Sequence, residues 1–141
     1  MPKESTFWGE LRKKCKGRWL ATRIETGDVA VGVADVAYCI YQTRTRGWIE
    51  LKYLKSYPKR ESTAIRIPHY TSEQKLFLWK EGEAAGFVWL FVKIKNDYYL
   101  FDHKQAQKVG GLNKKEMAAH CTNYWIGHLY VADFIELISG C

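Results

Sequence analysis

The chain has 141 residues, enough for one domain with its own hydrophobic core, and a hydrophobic content of 47% with 15% aromatics argues against intrinsic disorder. Lysine and arginine number 22 against 15 acidic residues, a formal charge of +7 that suits a polyanionic partner, although a merely soluble basic surface looks the same at this level. No apolar run reaches the roughly eighteen residues of a membrane-spanning helix, and the polar opening Met1-Pro-Lys-Glu-Ser5 lacks the apolar core of a signal peptide, so a cytoplasmic location is expected.

In chain order, Phe7, Leu11, Cys15 and Trp19 recur every four residues, with Trp8 and Leu20 alongside, and this apolar stripe predicts a helix over about residues 6–21. A short strand is expected at 23–26, before the Gly27-Asp28 turn. Residues 33–41 are β-branched and aromatic enough for a strand. Residues 42–47 are polar and turn, and 48–54 form a second strand that Pro58 ends. A polar loop runs to about Pro68. Thr71-Ser-Glu-Gln74 then opens a helix to about Ala85, with Leu76, Phe77, Trp79 and Ala84 at a loose helical spacing and Gly86 as its stop. Residues 87–94 and 98–102 read as a hairpin around Lys95-Asn-Asp97. Short helices are expected at 114–120 and 129–138. The order helix, strands, helix, strands, helix implies an α/β or α+β fold around one mixed sheet. A single domain over 1–141 is expected, with a core at about 5–102 and a C-terminal extension at 103–141.

Basic residues cluster at 12–18, 52–60 and 104–115. The cysteines at 15, 39, 121 and 141 form no Cys-x-x-Cys pair and are expected to be reduced. A zinc site from His120, Cys121 and His128 lacks a fourth ligand at a usual spacing.

Two strands carry charges in core-like surroundings: Asp35 in the first, and Glu50-Leu-Lys52 in the second. A buried charge costs several kcal/mol unless compensated. Residues two apart on a strand share a face, so Glu50 and Lys52 point together. Asp35 approaches Glu50 if the strands pair as a hairpin, in a register the sequence leaves open. A Glu-x-Lys match by itself is weak, since about half of chains this long contain one by chance. The second copy here, Glu73-Gln-Lys75, falls at the start of a helix, where residues two apart diverge. In the strand copy, Asp35 and Glu50 can bind one Mg²⁺ through hard oxygens, with the Leu51 backbone carbonyl as a further ligand, and Mn²⁺ is expected to substitute. Lys52 would lie beside the attacking water or the scissile phosphate.

Gly32-Val-Ala-Asp35 followed by Trp48-Ile-Glu50-Leu-Lys52 resembles the PD-(D/E)XK nuclease superfamily, and within it the small VRR-NUC and phage Holliday-junction-resolvase-like endonucleases. The resemblance covers about residues 5–102. It implies a restriction-endonuclease-like α/β fold, with a central mixed sheet flanked by helices, and a Mg²⁺-dependent DNA endonuclease that cuts branched or duplex DNA and leaves 5′-phosphate ends. Asp35 and Glu50 would be metal ligands and Lys52 the catalytic lysine. Glu10 on the first helix would be a supporting carboxylate, with Glu25 as a second candidate, and Gln74 would orient Lys52, water or DNA. Ala34 departs from the family pattern, which has proline there. DNA is the expected partner, contacted by Lys13, Arg44, Arg46, Lys55 and His69. A homodimer or larger homo-oligomer is expected, in the host cytoplasm if the protein is phage-encoded.

Plainer readings stand beside these. Asp35 and Glu50 could form a buried salt bridge with Lys52. Glu10 could be a surface residue paired with Lys13 and Lys14, and Gln74 could close a capping box on Thr71. His69 could be an ordinary loop histidine, and Arg44 and Arg46 solvated turn residues. Most tryptophans belong in a core; Trp125, in an irregular segment, is a candidate DNA or partner contact. Alternative functions are a homing-type or nicking endonuclease, a non-catalytic DNA-binding protein of the same fold, and a protein-binding factor.

Overall fold

The computed structural model describes residues 4–24 and 32–140. Eleven elements follow in order: α1 (Glu4–Lys14), β1 (Trp19–Arg23), β2 (Val36–Ile40), β3 (Arg46–Leu54), α2 (Ser72–Ala85), β4 (Val88–Ile94), β5 (Asp97–Phe101), a 3-10 turn (Gln105–Lys108), α3 (Lys114–His120), β6 (Asn123–Trp125) and α4 (Val131–Ile138). The strands form one sheet in sequence order, β1-β2-β3-β4-β5-β6. Among the described residues only the β3–β4 pair is parallel; the other pairs are antiparallel. A parallel pair needs a long crossover, and α2 supplies it. The result is the mixed α/β sheet flanked by helices that the sequence implied.

Strand alternation divides the side chains between two cores. On one face Phe7 and Leu11 of α1 and Phe134 and Ile138 of α4 pack on Ile49, Leu51 and Phe91. The rings of Phe91 and Phe134 stack with centroids 4.6 Å apart. On the other face Leu78 of α2, Ala106 and Met117 pack on Leu90, Val92 and Tyr99. Residues from 103–140 thus enter both cores, and β6 extends the sheet, so this stretch is built into the fold rather than appended to it.

Several boundaries differ from expectation. The first helix stops at Lys14, and Trp19 and Leu20 belong to β1. Gly17 adopts φ +82°, a left-handed conformation that ends the turn after α1. Trp19 reaches the same core from a strand, so its four-residue spacing from Cys15 is not helical. Arg23 closes β1 instead of opening a strand; residues 25–31, with the candidate Glu25, lie outside the described residues. β2 begins at Val36, which leaves Asp35 just ahead of it. In α2 the buried apolar residue is Leu78, whereas Leu76 and Trp79 are exposed. A Cβ on Gly82 would collide with the His103 ring, so glycine lets α2 lie close there. β6 was not anticipated, and it carries Trp125 into the α1/α4 core at 4% exposure, which removes Trp125 as a DNA contact.

Candidate functional site

β3 presents Ile49 and Leu51 to the α1/α4 core, so Glu50 and Lys52 point to the opposite face, toward α2. Both are buried, at 1% and 2% exposure. The Lys52 ammonium lies 3.4 Å from Glu50 Oε2 and donates to the His69 carbonyl at 2.9 Å. His69 holds this carbonyl from a left-handed conformation, φ +61°, which is strained for a non-glycine residue.

The register settles the place of Asp35. Val36 pairs with Ile49, so Asp35 stands one step beyond the ladder, across from Glu50. There its Oδ2 accepts the Leu51 N–H at 2.9 Å, in place of a strand partner. The Asp35 carbonyl accepts from Ile24 N at 2.7 Å and ties the segment to the end of β1. Within a strand, a residue's N–H and C=O point to the same side, so the Leu51 carbonyl faces the Asp35 edge of β3. Gly32, three residues earlier, has φ +87°, and a Cβ on it would lie 2.7 Å from the backbone carbon and oxygen of Glu73. The segment leading to Asp35 is therefore pressed against the first turn of α2.

That turn delivers Gln74. Its backbone N donates to Thr71 Oγ1 at 3.2 Å, and its Oε1 accepts the Thr71 N–H at 2.9 Å, a complete capping box. The other end of the same amide, Nε2, donates to Glu50 Oε2 at 3.3 Å. The capping reading of Gln74 is met, and the same side chain also reaches the Glu50 carboxylate rather than Lys52. Tyr70 adds a wall: its hydroxyl donates to the Ala106 carbonyl at 2.8 Å, and burial, with the nearby Glu50 charge, pushes it well above the ordinary phenol range. The sequence sets Tyr70, with His69, just ahead of α2 and near the site as a candidate phosphate contact; the fold turns its hydroxyl to Ala106 instead. Its signal was adjacency to the α2 cap.

Other candidates are not gathered here. Glu10 lies over the opposite face of the sheet. It accepts from Lys93 Nζ at 2.9 and 3.1 Å and from Tyr98 Oη at 2.5 Å. Burial alone would raise the Glu10 carboxyl, but the Tyr98 hydroxyl and the Lys93 ammonium, with Lys14, hold it below its ordinary value. This ties α1 to β4 and β5: the ion pair is with Lys93, and of the plainer Lys13/Lys14 reading the Lys14 charge contributes at longer range. Lys13 is exposed on α1, also over that face. Arg44, at φ +58°, sits in the β2–β3 turn. Arg46 opens β3, about 13 Å along the strand from Glu50. Both are exposed, as are Lys55 and the imidazole of His69; His69 engages the site through its backbone.

The donor set fits a hard cation. Asp35, just ahead of β2, and Glu50 and the Leu51 carbonyl, on β3, offer only oxygen. Among the described residues no three or more His, Cys, Asp or Glu side chains are grouped so as to hold a metal ion. Mg²⁺ needs only one or two carboxylates, because it keeps several of its waters.

No helix among the described residues is long and apolar enough to cross a membrane. No family model matches the chain, and no curated protein matches it. Among solved structures it is similar to Hjc of Archaeoglobus fulgidus, a Holliday junction resolvase from an archaeal hyperthermophile. The TM-score is 0.49 at 17% identity, over 82% of this chain and 95% of that one.

Proposed function

We propose that this chain is a divalent-metal-dependent DNA endonuclease. The observation that carries the reading is one cluster: the buried Glu50 and Lys52 on one face of β3, and the half-buried Asp35, just ahead of β2, bonded to the Leu51 amide between them. Asp35, Glu50 and the Leu51 carbonyl would hold Mg²⁺, or Mn²⁺ in its place. When bound, the cation supplies positive charge beside the phosphate and makes water acidic enough to attack.

The reaction is attack of water on phosphorus in line with the 3′-oxygen. The attacking water gives up a proton as its oxygen bonds phosphorus, and the 3′-oxygen leaves with the electrons of the broken P–O bond and takes up a proton, giving a 5′-phosphate and a 3′-hydroxyl. Lys52 is held by the His69 carbonyl and Glu50. Its ammonium orients the attacking water or stabilises charge on the phosphate oxygens. Gln74 holds the Glu50 carboxylate through its amide. Branched DNA is the preferred substrate, from the motif resemblance, and a homodimer is the working form, since one such site cuts one strand.

Cleavage of a labelled four-way junction in Mg²⁺ tests this. Glu50→Gln and Lys52→Ala should each abolish cutting while binding in EDTA is largely kept. Cutting at the wild-type rate by either variant would refute the assignment. The 3.4 Å Lys52–Glu50 contact also favours a second reading, a buried salt bridge in a non-catalytic DNA-binding protein. Calorimetric titration with Mn²⁺ separates the two: heat that disappears in Asp35→Asn supports the nuclease, and no heat supports the salt bridge.

A further inference from the structure

β6 and the residues that follow it carry both buried and exposed apolar side chains. Trp125 and Leu129 are buried, while Tyr124, Ile126 and Tyr130 are 45%, 61% and 61% exposed. The Tyr124 ring stacks on Tyr99, with centroids 6.1 Å apart and planes at 21°. Tyr99 is itself fixed, since its ring is buried and its hydroxyl lies 2.7 Å from that of Tyr57, which donates to Asp97 at 2.5 Å. Tyr124 is therefore an exposed ring on a rigid support.

A depression of about 310 Å³ opens beside it, lined by Tyr124, Ile126, Ala118, Lys114, Lys115 and Glu61 over Tyr99. That volume is at the lower end of small-ligand clefts, roughly 300–1,000 Å³. A second depression, of about 170 Å³, shares Glu61 and Lys114 and adds Tyr57, Lys59 and Arg60. The Lys114 ammonium sits 4.3 Å over the Tyr57 ring. Among the described residues, Glu61 is the one carboxylate lining either depression, against Lys59, Arg60, Lys114 and Lys115.

The sheet relates this surface to the candidate site. Lys52 pairs with Val92, Val92 with Tyr99 and Tyr99 with Tyr124. All four lie in one row on the α2 face, so Tyr124 is three strand spacings from Lys52, about 14 Å. The loop carrying the exposed Lys55, Lys59 and Arg60 leaves the end of β3 and reaches the second depression.

We propose that this surface binds an unpaired DNA strand, with a base stacked on Tyr124 and the adjoining phosphates on Lys114, Lys115, Lys59 and Arg60. Aromatic platforms in basic grooves bind single strands in this way. The occupant is nucleic acid rather than a second copy of the chain, because a copy would bring the same lysines against themselves. The proposal rests on the nuclease reading and deepens it: the substrate carries an unpaired segment within about 14 Å of the cut.

The test uses the full chain in EDTA, with fluorescein-labelled oligothymidylate and a duplex of equal length, read by anisotropy. Tyr124→Ala should weaken oligothymidylate binding about ten-fold or more and leave duplex binding unchanged. Tyr124→Phe, which keeps the ring, should bind like wild type and guards against a folding defect. Oligothymidylate binding that Tyr124→Ala does not weaken, or an equal loss on duplex, overturns the proposal. So does a wild-type dimer in gel filtration that Tyr124→Ala converts to monomer, which would make the face a contact between copies. Junction cleavage in Mg²⁺ is read separately. Cleavage without a Tyr124 effect on binding sinks this proposal alone. Tyr124-dependent binding without cleavage upholds strand binding and sinks the nuclease reading.

Discussion

Gln74 joins α2 to the candidate site through one planar amide. Its oxygen must face the Thr71 N–H and its nitrogen the Glu50 carboxylate, so the two partners fix its orientation. Substitutions separate the two roles. Gln74→Ala loses the reciprocal half of the cap and should lower stability by about 0.5–2 kcal/mol, the usual range for helix caps. Gln74→Glu keeps an acceptor for Thr71 but sets a second negative charge against Glu50, which favours protonation of the pair. Both variants should cut DNA more slowly and unfold earlier in urea at neutral pH, but the glutamate's loss should shrink as pH falls and the pair protonates, whereas the alanine's should not. A glutamate variant as active as wild type would leave Gln74 with capping alone. The capping signature was legible in four residues of sequence. The contact with Glu50 was not, because it joins residues 24 apart through packing.

At the scale of elements, the decisive junction is between the segment before β2 and the first turn of α2. Gly32 meets the backbone of Glu73 there, so one contact positions both Asp35 and Gln74. Gly17 is a natural control, with a similar φ of +82° but open space around its Cβ position. Alanine at 17 should cost about 1 kcal/mol, for backbone strain alone. Alanine at 32 adds a clash with backbone and should cost more, on the order of 2–3 kcal/mol, and it should also weaken Mn²⁺ binding by displacing Asp35. Equal denaturation midpoints for the two variants would show that the Gly32 contact is not tight. Glycine in the motif was visible in the sequence, but its physical reason, a helix pressed against it, was not.

Across the whole molecule, Glu10 joins α1 to β4 and β5 on the face away from the candidate site. Its carboxyl is held below its ordinary value of 4.5 in the folded protein. A depressed carboxylate adds stability above its unfolded value and loses it as pH falls through the folded one. Glu10→Gln should therefore melt below wild type at neutral pH, with the gap closing as pH falls below about 4. A gap that stays constant from pH 7 to 3 would show that the ionised carboxylate is not the source. Cleavage near neutral pH should change little in this variant, since Glu10 lies across the sheet from Lys52.

The amino-acid sequence by itself determined what local geometry dictates. Alternation along a strand sets Glu50 and Lys52 on one face in any fold that keeps β3 extended, and Thr71 and Gln74 cap a helix wherever it packs. Gly86 ends that helix in the left-handed conformation, φ +82°. Tertiary structure decided every relation between elements: that Asp35 stands opposite Glu50, that Gln74 reaches it, that Glu10 turns instead to Lys93, and that Trp125 is core while Tyr124 is surface. The physical reason is range. Backbone sterics and capping bonds act within a few residues, whereas strand register and the choice of buried face follow from burying the largest apolar area of the whole chain at once.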